Sequence, residues 1–179
     1  SLPGGYLGFI YAVGSTDLEP KSPADRPNST VFRDVGVAVL NSNLLDGNQN
    51  VQVQFKSSPM GRQSHGYNAN NAFLLNLRGQ RAFVRSGRRD IHGSPHHREW
   101  MWHSKSDNAI LVNGESQRRH TVTSQGRITV FKTSSTVDVV AGEAGKSYDN
   151  LDRWTRRILF FKPNVVLIHD VLEAPEPST

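Results

Sequence analysis

Asn50-Val51-Gln52-Val53-Gln54-Phe55-Lys56 alternates apolar and polar side chains with a period of two. Successive residues of a strand point to opposite faces, so this stretch predicts a strand with one side buried and one side wet. Similar runs flank it. Val35-Gly36-Val37-Ala38-Val39-Leu40 reads as the strand before it, and Ala72-Phe73-Leu74-Leu75-Asn76-Leu77 as a strand after it. Arg78-Gly79-Gln80 then joins Phe73–Leu77 to Ala82-Phe83-Val84, which suits a hairpin. Ala109-Ile110-Leu111-Val112 reads as another strand, closed by the turn signal Asn113-Gly114. Arg127 to Lys132, Thr136 to Ala141, Arg156 to Phe161 and Val165 to Ile168 complete the set. Lys162-Pro163-Asn164 lies between the last two, where a proline marks a connection rather than a paired strand. No long run carries the 3.6-residue helical period. Many short strands at near-regular spacing predict an all-β fold, an antiparallel β-sandwich. Residues 1–30 are rich in Pro, Gly, Ser and Asp and read as a loop-rich lead-in, with 31–179 as the sandwich.

Composition narrows the function. A chain of 179 residues suits one domain with a full core. Its mean hydropathy is −0.52, and no apolar run approaches the roughly 20 residues of a membrane span. The chain opens without Met and without a secretory pattern, so it reads as a processed product or a fragment, and the missing signal says nothing about export. It has no cysteine, which excludes disulfides, thiolate metal sites and a cysteine nucleophile. Lys and Arg number 21 against 16 Asp and Glu, a net charge of +5 that favours an anionic partner. Arg62, Arg78, Arg81, Arg85, Arg88, Arg89 and Arg98 crowd one stretch. No phosphate loop, dinucleotide fingerprint or nucleophile elbow occurs. Nucleic acid and an acidic polysaccharide are both anionic partners of this kind, but no recognisable nucleic-acid module accompanies the charge, so nucleic acid is not the expected one.

Two segments carry candidate chemistry. Ser64-His65-Gly66-Tyr67-Asn68 puts a histidine on the loop that feeds the strand at Ala72, where a rigid sheet presents a side chain that titrates near neutral pH. Arg85 to Ser106 is long, basic and aromatic, with His92, His96, His97 and His103 around Trp100, Met101 and Trp102. A structureless stretch of that length in a compact domain is a functional-loop signal. Its histidines are spaced for a metal only weakly, whereas Trp faces stack on sugars and Arg and His donate to carboxylates.

The order of these signals resembles the C-terminal β-sandwich domain of the heparinase II/III-like polysaccharide lyases. Phe32 to Val39 looks like the family's opening strand. Phe55-Lys56-Ser57-Ser58-Pro59-Met60-Gly61 followed by Ser64-His65-Gly66 looks like its strand-loop-histidine segment. Ser86-Gly87, Gly93-Ser94-Pro95-His96-His97 and Ser106 to Gly114 follow in order, and Arg156 to Asp170 resembles the later strand pair. The likeness spans Phe32 to Leu172.

The resemblance implies a supersandwich-like domain that follows an α/α-toroid domain in the same protein. It implies β-elimination on uronic-acid polysaccharides, alginate- or glycosaminoglycan-like, in a periplasmic or secreted setting. It makes His65 the catalytic histidine of the sandwich. Tyr67, Arg88, Arg89, His96 and His97 become candidate substrate contacts. This sandwich alone is then expected to be inactive, and a non-catalytic carbohydrate-binding or structural domain is the alternative. Zinc is usual in the family, but the matched ligand positions hold Tyr67, Arg85 and Asp107. Tyr ligates only after losing a proton of high pKa, and Arg does not ligate. No cofactor is therefore expected. An Arg85–Asp107 ion pair is expected in the metal's place, with Tyr67 hydrogen-bonded nearby.

Overall fold

The alternation at the centre of the chain becomes strand β3. A computed structural model of the protein describes residues 21–61, 66–88 and 90–179. Strands β1 (Thr30–Phe32), β2 (Val37–Asn41), β3 (Val51–Lys56), β4 (Ala72–Leu77) and β5 (Gln80–Phe83) form one antiparallel sheet in chain order. Strands β6 (Arg127–Thr133), β7 (Val137–Glu143), β8 (Arg153–Phe161) and β9 (Val165–Glu173) form a second, also in chain order. Every neighbouring pair is antiparallel. No helix among the described residues is long and apolar enough to cross a membrane.

The buried half of each alternation makes the core. Ala38, Leu40, Val51, Val53 and Phe55 from the first sheet pack against Val140, Ile158 and Phe160 from the second. A smaller cluster at one end joins Val112, Ala144, Tyr148, Leu151 and Trp154, with the Tyr148 and Trp154 rings edge to face at 5.7 Å. Such an arrangement puts the positive edge of one ring on the negative face of the other. Burial pushes the Tyr148 phenol well above its ordinary pKa, and its hydroxyl donates to the Ile110 carbonyl at 2.6 Å.

That contact explains one difference from the sequence reading. Ala109 to Val112 does not pair as a strand. Ala109, Ile110 and Val112 are spent on the small cluster, and the Ile110 and Val112 carbonyls accept from the Tyr148 hydroxyl and from Asn150 Nδ2. Only a single bridge, Val112 to Glu115, closes the Asn113-Gly114 turn. Both turn residues have positive φ, +55° and +78°, as that turn demands. The long segment after Arg85 is not structureless either: it holds a wide helical turn over His97–Met101 and a tight one over Ser104–Ser106.

Polar ties cross the sandwich where the core ends. Asp138 on β7 is fully buried and accepts from Ser29 Oγ at 2.6 Å, Thr133 Oγ1 at 2.6 Å and Lys162 Nζ at 2.9 Å. Ser29 immediately precedes β1, so this carboxylate clips the first sheet to the second. Removing one member of a buried ion pair strands the other charge. Asp138→Ala should therefore lower the unfolding free energy by about 3–5 kcal/mol in urea titrations. A loss below about 1 kcal/mol, the range of exposed pairs, would show that the clip is idle.

Candidate functional site

The outer face of the first sheet carries a cavity of about 300 Å³. Its floor follows from strand register. Val37, Lys56 and Ala72 are cross-strand partners, and Gln54 pairs with Leu74 one rung and one pleat away. Phe55 points into the core, so Gln54 and Lys56 on either side of it point out. Loop residues Tyr67, Ala69, Arg85 and Asp107 form the rest of the wall. Beyond the floor the outer face is an amide ladder. Gln54 Nε2 donates to Gln52 Oε1 at 2.8 Å, and Gln52 Nε2 donates to Asn41 Oδ1 at 3.0 Å.

The expected ion pair is present. Arg85 Nε donates to Asp107 Oδ1 at 2.8 Å, with both side chains largely buried. The same guanidinium donates to the Met101 carbonyl and lies 3.6 Å from the centroid of the Tyr67 ring. Tyr67 thus joins through its aromatic face, a cation–π contact, and not through the hydrogen bond anticipated from the sequence. One planar cation holds three loops: the segment before β4, the His97–Met101 turn and the segment around Asp107.

Burial dominates the electrostatics here. It pushes the Lys56 ammonium below its ordinary pKa, with Asp107 opposing and Arg85 adding to the shift. It pushes the Asp107 carboxyl up, against the pull of Arg85 and then Lys56. Each charged form is disfavoured by lost hydration.

Buried asparagines hold this wall in place. Asn70 accepts from the Ser58 N–H at 2.8 Å and donates to Ser147 Oγ at 3.0 Å, and its own N–H donates to Gln117 Oε1 at 2.9 Å. Asn71, at φ +56°, donates to the Gly142 and Trp154 carbonyls of the second sheet, both at 3.1 Å. Gly142 must be glycine, because a Cβ there would overlap the Asn71 carboxamide and the Phe55 ring. Arg156 completes the frame. It makes a two-pronged pair with Asp170, both bonds at 2.8 Å, and donates to the Asn71 and Asn108 carbonyls at 2.9 and 2.7 Å.

The histidine-rich loop packs beside this frame. His97 Nδ1 accepts from the Gly93 N–H at 2.8 Å, and its ring lies 4.6 Å from Trp102 and 4.8 Å from His92. Trp102 meets His120 edge to face at 4.4 Å, and its carbonyl accepts from Asn68 Nδ2 at 2.7 Å. His97 is 4% exposed, so its ring packs within the loop. Arg88 and His96 lie on the loop surface, with His96 Nε2 3.0 Å from the Arg88 carbonyl oxygen. His65 and Arg89, the other candidate site residues, lie outside the described residues. Lys56, Asn68, Asn70, Asn71, Gln117 and His120 escaped the sequence reading. Lys56 alone left a legible sign, a charge at the wet end of an alternating strand.

These residues do not fit the zinc that the resemblance implied. Arg85 has no lone pair to give, and it holds one oxygen of Asp107 and the face of Tyr67. Among the described residues no group of three His, Asp or Glu side chains comes together around a metal-sized space.

Comparison with known proteins bears on the whole domain. Residues 24–179 match the family model described as heparinase II/III-like, C-terminal. No curated protein matches the chain. Among solved structures it resembles a heparan sulfate lyase from Pedobacter heparinus, at 18% identity and a TM-score of 0.71, over 93% of this chain and 25% of that one. It also resembles a heparinase III gene product, at 17% identity and a TM-score of 0.70, over 94% and 25%. The chain thus spans about a quarter of the length of these structures.

Asp107 gives the site a pH signature. Its folded pKa lies above the ordinary 3.8, so above that pH the folded chain still holds a proton that the unfolded chain has released. The stability this group confers is complete below 3.8 and is lost as pH rises through the raised value. Asp107→Asn should flatten that decline in urea titrations run upward from pH 3.8. An unchanged slope would remove Asp107 as its source.

Proposed function

The chain belongs to the heparinase II/III-like family, whose C-terminal domain it carries, and on that premise we propose that it is the β-sandwich portion of a lyase cleaving uronic-acid polysaccharides by β-elimination. The chemistry sets the requirements. The C5 proton of a uronate is weakly acidic until its carboxylate is neutralised. A base then removes that proton while an acid protonates the leaving oxygen. His65, two residues before the cavity wall at Tyr67, neutralises the carboxylate or relays the proton. Arg88, Arg89 and His96 contact the anions of the polymer, alginate- or glycosaminoglycan-like. A preceding α/α-toroid domain supplies the other groups, and the large charged substrate places the enzyme in the periplasm or outside the cell.

The observation that carries this reading is the cavity of the first sheet. It sets two cations, Lys56 and Arg85, beside a tyrosine and one carboxylate, next to a loop dense in His, Trp and Arg. A site of that sign suits an acidic sugar chain. The Arg85–Asp107 pair, at positions where the family holds zinc ligands, supports a metal-free reading of this part of the domain. The same pair favours a second reading, a non-catalytic glycan-binding domain in which an ancestral metal site has been lost.

Three measurements test these statements. The 179-residue chain should retain alginate, heparan sulfate or chondroitin in affinity electrophoresis, without the absorbance rise at about 232–235 nm that marks the unsaturated product of proton abstraction. Clear turnover by this chain alone would contradict the need for a second domain. In a form that carries the toroid domain, His65→Ala should cut turnover by about 10²-fold or more. Full activity there, with glycan binding kept, would favour the non-catalytic reading. Excess zinc or a chelator should leave the thermal midpoint unchanged, and one tightly held zinc per chain that Arg85→Ala does not disturb would contradict the metal-free assignment.

A further inference from the structure

The cavity beside Arg85 has needs that its own walls do not meet. Asp107 is 7% exposed at its side chain, and only one of its carboxylate oxygens is used, by Arg85. The other, Oδ2, is buried and has no hydrogen-bond partner among the described residues. The neighbouring Ser106 hydroxyl donates to the His103 carbonyl at 3.0 Å and also lies close enough to Asp107 to favour its charged form, so it is shared between the two. A buried carboxylate oxygen left so is costly and calls for a donor. Lys56 has the opposite need. Its ammonium makes one described bond, to the Tyr67 carbonyl at 3.2 Å, which leaves two N–H donors of three. It is not within ion-pair distance of Asp107. Val37 and Leu74 give the same space an aliphatic wall.

We propose that this cavity is a subsite for one hexuronate unit of the polymer. A sugar hydroxyl donates to Asp107 Oδ2, the carboxylate accepts from Lys56, and a C–H face of the ring lies on Val37 and Leu74. The proposal rests on the function proposed above and deepens it. The size agrees, since about 300 Å³ holds one pyranose ring and not a chain. The chemistry also discriminates. An inorganic anion satisfies Lys56 but neither Asp107 nor the apolar wall. A neutral sugar satisfies Asp107 and the wall but leaves the ammonium unpaired. Only a ring that carries both hydroxyls and a carboxylate meets all three. Arg85, whose guanidinium donates to Asp107 and Met101 and stacks on Tyr67, shapes the site and adds positive charge beside it.

The test uses the 179-residue chain and ligand-observed NMR with methyl β-D-glucuronide, methyl β-D-glucoside and inorganic sulfate. The glucuronide should bind at least about tenfold more tightly than either other probe, the factor set by one charge-assisted hydrogen bond. Lys56→Met keeps the stem, leaves the Arg85–Asp107 pair intact and should lose that preference. Leu74→Trp fills the cavity and should abolish binding of all sugars. Circular dichroism and thermal midpoints confirm that both variants fold. Equal binding of glucuronide and glucoside, sulfate matching the glucuronide, or no effect of either variant would overturn the proposal. If acidic polymers still bind while both variants behave like the parent, the subsite falls and the glycan function stands. If neither glucuronide nor any acidic polymer binds, both fall together.

Discussion

Arg156 is the interaction on which the arrangement of the site depends. It sits on the core side of β8, yet it belongs to no apolar cluster. Its side chain is held by Asp170 across β9 and spends its third nitrogen on two loop carbonyls, Asn71 and Asn108. Those two residues adjoin the walls of the cavity: Asn71 lies four residues after Tyr67, and Asn108 directly follows Asp107. A buried guanidinium with a two-pronged carboxylate is geometrically strict, because its donors lie in one plane. The second sheet thereby dictates where two loops of the first sheet lie. Asn108 passes the constraint on, donating to the Phe73 carbonyl at the start of β4.

Around this tie the sandwich solves a common problem of β folds. The sheets bury their apolar faces against each other, but the loops at the end still contain backbone groups that need partners. Here buried amides supply them. Asn68, Asn70, Asn71 and Gln117 are each less than a tenth exposed and bridge segments far apart in sequence. Amides donate and accept without charge, so they fill such positions without the hydration cost of an ion. Most buried polar atoms of these loops are paired in this way, and a frame held by such ties is what a binding constellation requires.

The legibility of the sequence follows from this division of labour. Strand β3 was readable because burial on one face imposes a local period of two. The hairpin of β4 and β5, the Pro163 connection and the Asn113-Gly114 turn were readable because each depends on a few adjacent residues. The Arg85–Asp107 pair was reached through family resemblance, since nothing local couples positions 22 residues apart. Ala109 to Val112 was misread because its apolar residues serve a packing cluster assembled from distant segments. Asn70, Asn71 and Gln117 were invisible for the same reason: an asparagine in a loop looks solvated until its partners, up to 83 residues away, are known.

The stacked guanidinium of Arg85 has one further consequence, for the charge of the cavity as a whole. Burial presses Lys56 and Asp107 in opposite directions, and both toward neutrality. A proton passed from the lysine to the carboxylate would erase both charges at once. The total would not change, because either state leaves the single positive charge of Arg85. The cavity is therefore charge-buffered. Its net charge is the same in either state, so an approaching anion meets a cavity of net positive charge in both.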